Sequence, residues 1–185
     1  MTEKEKCKEG LLYDANDFEL VSERNLCKQL CQQYNQSQYS EVEKRKEIIQ
    51  KIIPSAKANS VIEPSFWCDY GYNIHIGDHF YSNHNLVILD AAQVKFGNNV
   101  FIGPNCAFYT AGHPENIPQR NAGLEYAKAI IIGSNIWFGG NVVVLPGVTI
   151  GDNSIIGAGS IVTKDIPQNV VAVGKPCKVI REIST

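Results

Sequence analysis

The sequence predicts a mainly β protein built as a parallel β-helix, and three observations support this prediction. Apolar residues recur every six positions between residues 132 and 162, a period that fits neither an α-helix nor a long alternating strand. Glycine follows four of these six residues, and the fourth position after each is β-branched or small. The three series are Ile132, Phe138, Val144, Ile150, Ile156 and Val162; Gly133, Gly139, Leu145, Gly151, Gly157 and Thr163; and Ile136, Val142, Val148, Ser154, Ser160 and Ile166.

Each six-residue unit of this repeat is expected to contribute one short strand and one tight turn, so that three units close a triangular coil. The recurring apolar residue would point inward and stack on its counterpart one coil away. Glycine directly after it would allow the close backbone approach and the open backbone conformation that a tight corner requires.

Residues 1–55 are predicted to form a helical segment, with helices over about 4–12, 18–34 and 41–53. Ser40, with Glu43 three positions later, is the expected N-cap of the third helix, and Pro54 ends it. The segment is too small and polar for a free domain. We therefore expect it to pack on the solenoid, whose open strand edges would otherwise invite association.

The solenoid domain is predicted over residues 56–185, with its extended pattern beginning at Val61. Between Ile76 and Phe96 the spacing is twenty residues rather than eighteen, which requires a two-residue insertion at a corner. The repeat disappears at about 110–129, which predicts a loop extruded from the solenoid. Long excursions from a regular scaffold often carry function. The chain then ends in a Pro turn, a short strand and a basic tail.

Composition excludes several classes of protein. The formal net charge of -2 lacks the basic excess of a general nucleic-acid binder. No apolar run approaches the ~20 residues of a membrane helix, and the charged N-terminus lacks a signal-peptide core. These features predict a cytoplasmic chain that binds neither nucleic acid nor membrane.

The cysteines predict reduced, mostly buried thiols, as is usual for a cytosolic chain. None forms a CxxC pair, and Cys27 and Cys31 are spaced as an i, i+4 helical pair with no histidine nearby in sequence. A structural zinc site is therefore not expected. The six cysteines are Cys7, Cys27, Cys31, Cys68, Cys106 and Cys177.

The repeat resembles the hexapeptide-repeat acyltransferases. TAGHP at 110–114, followed by RNAG at 120–123, and CDYGYN at 68–73 narrow this resemblance to the maltose and galactoside O-acetyltransferases. It covers nearly the whole chain and implies a left-handed helix and a homotrimer with active sites between subunits. It also implies acetyl-CoA as co-substrate, no required metal, and direct transfer of the acetyl group to a sugar hydroxyl.

The resemblance also implies catalytic roles for residues in these motifs. A lone histidine is more often structural, but imidazole titrates near neutrality, and the TAGHP motif makes His113 the general base. Asn83 would support the oxyanion. Glu125 would hold His113 in its useful tautomer, as the third member of a triad does; an exposed loop acid is the alternative.

Acceptor and donor positions follow from the same resemblance. Asp69, Tyr81, Arg24 and Asp17 would meet the sugar, although the register of the N-terminal aspartates is ambiguous. Ala91 stands where the galactoside type has a second aspartate, which favours a maltose-like or related sugar. The positions implied in coenzyme A binding are Trp137, Gly140, Ala158, Thr163, Lys164, Lys178 and Arg181. Among these, the basic side chains of Lys164, Lys178 and Arg181 would pair with the phosphates of coenzyme A; the alternative is a solvated basic rim without a ligand.

Two other interpretations stay open at this point. One is a related acetyltransferase with another acceptor, such as an antibiotic or an amino sugar. The other is a non-catalytic trimeric scaffold, which the presence of His113, Asn83 and the coenzyme-binding positions disfavours.

Overall fold

The computed structural model describes residues 1–184. The helices are α1 Glu3–Lys8, α2 Phe18–Asn35, α3 Val42–Ile52 and α4 Ile117–Asn121. The strands are β1 Tyr13–Asp14, β2 Val61–Ile62, β3 Phe66–Cys68, β4 Ile74–His75, β5 Tyr81–Ser82, β6 Leu86–Leu89, β7 Val94–Phe96, β8 Val100–Ile102, β9 Ala107–Tyr109, β10 Ala111–Gly112, β11 Leu124–Ala127, β12 Ile130–Ile132, β13 Ile136–Phe138, β14 Val143–Val144, β15 Thr149–Ile150, β16 Ile155–Ile156, β17 Ile161–Val162, β18 Val170–Val173 and β19 Lys178–Glu182.

The predicted parallel β-helix is confirmed. Successive strands enter three sheets in turn: a four-stranded sheet (β4, β7, β12, β15), a seven-stranded sheet (β2, β5, β8, β13, β16, β18, β19) and a five-stranded sheet (β3, β6, β9, β14, β17). All pairings within the three sheets are parallel except that of β19 with β18. The predicted inward positions, from Ile132 to Val162, are all buried.

The three sheets meet at three edges of a triangular prism. Edge 1 joins the seven- and five-stranded sheets and contains residues 83–85, 103–105, 139–142 and 157–160. Edge 2 joins the five- and four-stranded sheets and contains residues 69–73, 90–93, 110–129, 145–148 and 163–166. Edge 3 joins the four- and seven-stranded sheets and contains residues 76–80, 97–99, 133–135 and 151–154.

The glycines that directly follow the inward residues allow close approach of the backbone and do not take the left-handed conformation. A Cβ on Gly139 would lie 2.6 Å from the backbone nitrogen of Ala158, so only glycine fits there. The positive φ angles at edge 3 belong instead to a column of asparagines whose side-chain amides hydrogen-bond one another at 2.8–3.0 Å. Asparagine tolerates this conformation, and the ladder stabilises it. The column is Asn99, Asn135, Asn153 and Asn169, with φ of 55, 59, 57 and 59°.

The predicted two-residue insertion lies at edge 2. The outward-facing residues Val87 and Lys95 are eight positions apart rather than six, because residues 90–93 make a longer corner. The extruded segment leaves the solenoid from this same edge, after Thr110. Edge 2 is therefore the irregular edge of the prism.

The extruded segment has more structure than the sequence predicts. β10 and β11 form an antiparallel pair, α4 lies between them, and β1 from the N-terminal segment pairs antiparallel with β11. Tyr13 is opposite Glu125, and Asp14 is opposite Leu124. This pairing joins residues more than a hundred positions apart, which local sequence patterns do not reveal.

The N-terminal helices differ from prediction at their ends. α1 is capped by a Thr2–Glu5 capping box and is shorter than expected, because Gly10 takes a φ of 69° just beyond its end. Ser40 does not cap α3: Glu41 Oε2 instead accepts from the Gln38 nitrogen at 2.8 Å and closes the preceding turn. Among residues 1–184, no helix combines the length and the apolarity needed to cross a membrane.

Four phenylalanines form a column along the axis of the solenoid. Neighbouring rings in the order Phe80, Phe96, Phe108, Phe138 have centroids 5.0–5.3 Å apart and meet edge to face. All four side chains are buried. Edge-to-face contacts add to the burial of apolar area, so this column is the centre of the core.

Candidate active site

A cavity of about 330 Å³ lies at edge 2, between the extruded segment and the N-terminal helices. Four residues that the sequence analysis selects line it together: His113, Glu125, Asp69 and Arg24. They come from the extruded segment, the corner after β3, and α2. The tertiary structure thus brings together residues that lie up to about a hundred positions apart.

His113 is held in one tautomer by the extruded hairpin. Its Nδ1 lies 3.0 Å from the carbonyl oxygen of Leu124. A carbonyl oxygen only accepts hydrogen bonds, so Nδ1 is the donor, and in the neutral ring Nε2 keeps its lone pair. The side chain is about half exposed. The neutral ring of His113 therefore presents Nε2 as an acceptor to solvent or ligand.

Glu125 stands near His113 without orienting it. The Oε1 atom of Glu125 lies 4.0 Å from Nε2 of His113, beyond hydrogen-bond distance, and its Oε2 accepts from the Tyr13 hydroxyl at 2.8 Å. The tautomer depends on Leu124, not on the carboxylate. The position of Glu125 suits it instead to stabilise a positively charged imidazolium.

Arg24 and Asp69 supply the charged wall of the cavity. Arg24 donates to the Tyr70 hydroxyl at 2.7 Å and to the Ala15 carbonyl oxygen, and its guanidinium stands over the Tyr70 ring. Burial raises the pKa of the Asp69 carboxyl, and the nearby cations of Lys28 and Arg24 partly oppose that rise. A guanidinium that donates and a carboxylate that accepts suit a ligand rich in hydroxyls, because each hydroxyl can both donate and accept hydrogen bonds.

Asp90 fixes the corner that carries Asp69. Its fully buried carboxylate accepts three backbone N–H groups, from Asp69 and Tyr70 at 2.9 Å and from Gly71 at 2.7 Å. Burial raises its pKa to about 6, although these three hydrogen bonds favour the charged form. No sequence motif predicts this role for Asp90, which is recognisable in the sequence only as an aspartate directly after a strand.

Asp17 has a structural role. Its carboxylate accepts from the Glu19 nitrogen at 3.0 Å and caps α2, and it does not line the cavity. Its neighbour Asn16 lines the cavity instead, together with Tyr13 and Tyr70. The ambiguous register of the N-terminal aspartates accounts for this difference, because one position along the chain changes which side chain faces the cavity.

A second group of predicted residues lies on edge 1. Four residues stack on successive coils, because the backbone nitrogen of each donates a hydrogen bond to a carbonyl oxygen of the next coil: Asn83, Gly103, Gly139 and Gly157. Gly140 and Ala158 occupy the next positions of the same corners, and Lys178 is paired with Val173 at the end of β18. The side-chain oxygen of Asn83 accepts from the His84 nitrogen at 2.7 Å.

The remaining predicted residues are divided between the faces and edge 2. Tyr81 and Trp137 point outward from the seven-stranded sheet, where Tyr81, Phe101 and Trp137 are in register. Arg181 lies on the exposed strand β19. Thr163 and Lys164 follow β17 and lie on edge 2.

One chain therefore does not bring all of these residues to a single place. His113 is on edge 2 and Asn83 on edge 1, and the five-stranded sheet with its packed core separates the two edges. The positions predicted to bind coenzyme A are divided in the same way, with Gly140 and Ala158 on edge 1 and Lys164 on edge 2.

Comparisons with known proteins match nearly the whole chain. A family model described as the maltose acetyltransferase hexapeptide capping motif matches residues 6–57, and one described as bacterial transferase hexapeptide (six repeats) matches residues 129–164. The galactoside O-acetyltransferase of Escherichia coli is 48% identical over 180 residues, covering 97% of this chain and 89% of the relative.

Solved structures give the same result. A maltose O-acetyltransferase from Clostridium difficile superimposes with a TM-score of 0.98 at 48% identity, covering 100% of this chain and 99% of that one. A galactoside acetyltransferase in complex with coenzyme A gives a TM-score of 0.96 at 48% identity, covering 100% of this chain and 92% of that one.

Proposed function

This chain belongs to the hexapeptide-repeat family of galactoside and maltose O-acetyltransferases, and from this membership we propose that it acetylates a hydroxyl of a maltose- or glucose-type sugar. It is an acetyl-CoA-dependent acetyltransferase of this type, with acetyl-CoA as its co-substrate. The finer proposal concerns the acceptor, the general base and the assembly of the site.

The observation that carries this proposal is the state of His113. Because Nδ1 donates to the Leu124 carbonyl, Nε2 is free to take a proton from an acceptor hydroxyl in the cavity. A positioned histidine is the most frequent general base, and its ordinary pKa suits it to work near neutral pH.

The proposed reaction is a direct transfer. Nε2 of His113 takes the hydroxyl proton as the acceptor oxygen forms a bond to the thioester carbon. The resulting tetrahedral oxyanion collapses, the C–S bond breaks, and the thiolate of coenzyme A takes the proton from the imidazolium. Glu125, with Oε1 4.0 Å from Nε2, stabilises the charged imidazole between these two steps. Among residues 1–184, no cysteine lines the cavity, and the proposed steps use neither an acyl-enzyme nor a metal.

The oxyanion donor comes from a second chain. Asn83 is an amide suited to stabilise developing negative charge, but it lies on edge 1, away from His113 of the same chain. A homotrimer in which edge 2 of one chain faces edge 1 of the next would bring the two residues together. The same arrangement would join the divided coenzyme-binding positions.

An exposed apolar row on the seven-stranded sheet supports this assembly. Val61, Tyr81, Phe101 and Trp137 are in register on successive coils, and Phe101 and Trp137 are each about half exposed. A contiguous apolar row of this kind is typical of a surface that another molecule covers.

The acceptor preference rests on the polarity of the cavity. Arg24, Asp69 and Asn16 provide donors and acceptors for sugar hydroxyls. Ala91 lines the cavity without a polar side chain, so the second carboxylate of the galactoside type is missing here. This composition favours maltose- or glucose-type acceptors over galactosides.

Thiol release from acetyl-CoA against a panel of sugars tests the acceptor assignment. We expect release that depends on maltose or glucosides and exceeds the release with galactosides. The panel includes an amino sugar and an aminoglycoside antibiotic. Release that depends only on these amines would contradict the sugar assignment. If the protein binds coenzyme A but acetylates no compound of the panel, the non-catalytic scaffold replaces the acetyltransferase interpretation.

Mixing two inactive variants tests whether the site lies between chains. His113→Ala and Asn83→Ala are each expected to be nearly inactive. If chains assort at random in an equal mixture, about a quarter of the interfaces pair an intact edge 2 with an intact edge 1, so about a quarter of the wild-type activity returns.

The matched control mixes two variants of the same cavity, His113→Ala and Asp69→Ala. Every edge 2 then carries a defect, and no activity is expected to return. Absence of recovery in the first mixture would place the whole site within one chain. Recovery in the control would mean that His113 and Asp69 of one chain do not serve the same site.

A further inference from the structure

Three cysteines from two elements meet beneath α2. Cys27 and Cys31 are one turn apart on the buried face of the helix, and Cys68 ends β3 of the first coil. The Sγ atom of Cys68 lies 3.4 Å from that of Cys27 and 3.8 Å from that of Cys31. All three side chains are buried, with at most 4% of their surface exposed.

The other cysteines do not form such a group. Cys7 and Cys106 are single buried thiols whose sulfurs contact the carbonyl oxygens of Ala91 and Gly139, at 3.3 and 3.2 Å. Cys177 is a further isolated buried thiol. Within the part of the chain that the structure describes, the Cys27, Cys31 and Cys68 group is the one set of three metal-ligating side chains whose ligand atoms all lie within 4.8 Å of one another.

We propose that Cys27, Cys31 and Cys68 form a binding site for a single Cu(I) ion. Three thiolates around one ion at a metal–sulfur distance of about 2.3 Å lie about 4 Å from one another. The observed separations of 3.4 and 3.8 Å differ from this by a few tenths of an ångström, which rotation about the Cα–Cβ bonds supplies. This site is independent of the proposed acetyl transfer.

The ligand set selects the ion. Thiolates are soft ligands that favour Cu(I) and Zn(II) over hard cations. A structural zinc ion takes four ligands, and no fourth histidine, cysteine or carboxylate of residues 1–184 joins this group. Three sulfurs in a dry pocket therefore suit Cu(I), which accepts three soft ligands.

Binding of the ion displaces the thiol protons. Each Cu–S bond replaces an S–H bond, and the proton leaves to solvent. The single positive charge of Cu(I) offsets one of the three thiolate charges, so the loaded group carries a net charge of about -2.

The positions of the three cysteines in the fold allow the ion to bind before folding is complete. Cys27 and Cys31 are an i, i+4 pair on one face of a helix and can bind an ion before α2 packs on the solenoid. Docking of α2 against β3 then brings Cys68 to the ion and closes the site. The bound ion would link the N-terminal helix to the first coil and raise the thermal midpoint.

Refolding under anaerobic conditions with Cu(I) and a competing chromophoric Cu(I) chelator tests the site. The control variant Cys7→Ala/Cys106→Ala/Cys177→Ala keeps the group and is expected to retain one Cu(I) per chain. X-ray absorption should show a coordination shell of three sulfurs. The variant Cys27→Ala/Cys31→Ala/Cys68→Ala should retain none while keeping the circular dichroism of the parent.

If the variant that lacks all three cysteines of the group does not fold, the single variant Cys31→Ala is measured instead. We expect it to weaken Cu(I) binding by at least about tenfold, since only two ligands remain. Loss of the ion from the control variant, retention by the cluster variant, or a shell containing nitrogen or oxygen would overturn the proposal. A Cys27–Cys68 disulfide formed in place of the bound ion would do so as well.

Discussion

Replacing His113 by alanine is expected to lower kcat by about 10²–10⁴, the usual contribution of a general base. The imidazole Nε2 is the unprotonated nitrogen that faces the cavity, because Nδ1 donates to the Leu124 carbonyl. His113→Gln should lose a similar amount, since glutamine can hydrogen-bond but cannot take a proton near neutral pH. Steady-state thiol release, with sugar and acetyl-CoA varied in turn, provides the measurement.

His79→Asn is the matched control for the loss of an imidazole. His79 lies at edge 3 with a φ of 56°, on the coil next to the asparagine column and in the same backbone conformation as its members. Asparagine therefore fits its backbone conformation, and we expect kcat to be unchanged. A fall of less than tenfold in His113→Ala would exclude His113 as the general base.

Truncating the centre of the phenylalanine column should have the largest effect on stability. Phe108 is fully buried between Phe96 and Phe138, with ring centroids 5.0 and 5.3 Å away. Phe108→Ala is expected to lower the free energy of unfolding by about 3–5 kcal/mol, from lost burial and from the cavity that remains. Typical total stabilities are about 5–15 kcal/mol, so the variant should be marginal at 37 °C.

The control makes the same chemical change at the surface. Phe18 begins α2 and is 85% exposed, so Phe18→Ala should change the free energy of unfolding by no more than about 0.5 kcal/mol. Denaturant unfolding at equal chain concentration compares the two, because oligomer stability depends on concentration. Equal losses in both variants would mean that the column does not hold the core.

The candidate site contains contacts that the sequence motifs predict and contacts that they do not. The motifs select His113, Glu125, Asp69 and Arg24, and the cavity brings these four together. They do not select Leu124, whose contribution is a backbone carbonyl, or Asp90, whose partners are backbone N–H groups. A side-chain motif carries no signal for a backbone partner, and such contacts are decided by how the hairpin and the corner fold.

The solenoid follows from the local pattern of the sequence. A period of six with inward-facing apolar residues is a local pattern, and each coil repeats the contacts of the previous coil. The period alone therefore predicts which residues form the strands, the corners and the core. Even the insertion at edge 2 is visible as a break in that period.

The contacts between distant segments have no such local pattern. The pairing of β1 with β11, the separation of His113 from Asn83 on different edges, and the meeting of Cys27, Cys31 and Cys68 each join residues far apart in the chain. The physical reason is that such contacts depend on how the N-terminal segment and the extruded hairpin pack on the prism. No repeat spacing encodes that packing, because it is made once in the molecule rather than once per coil.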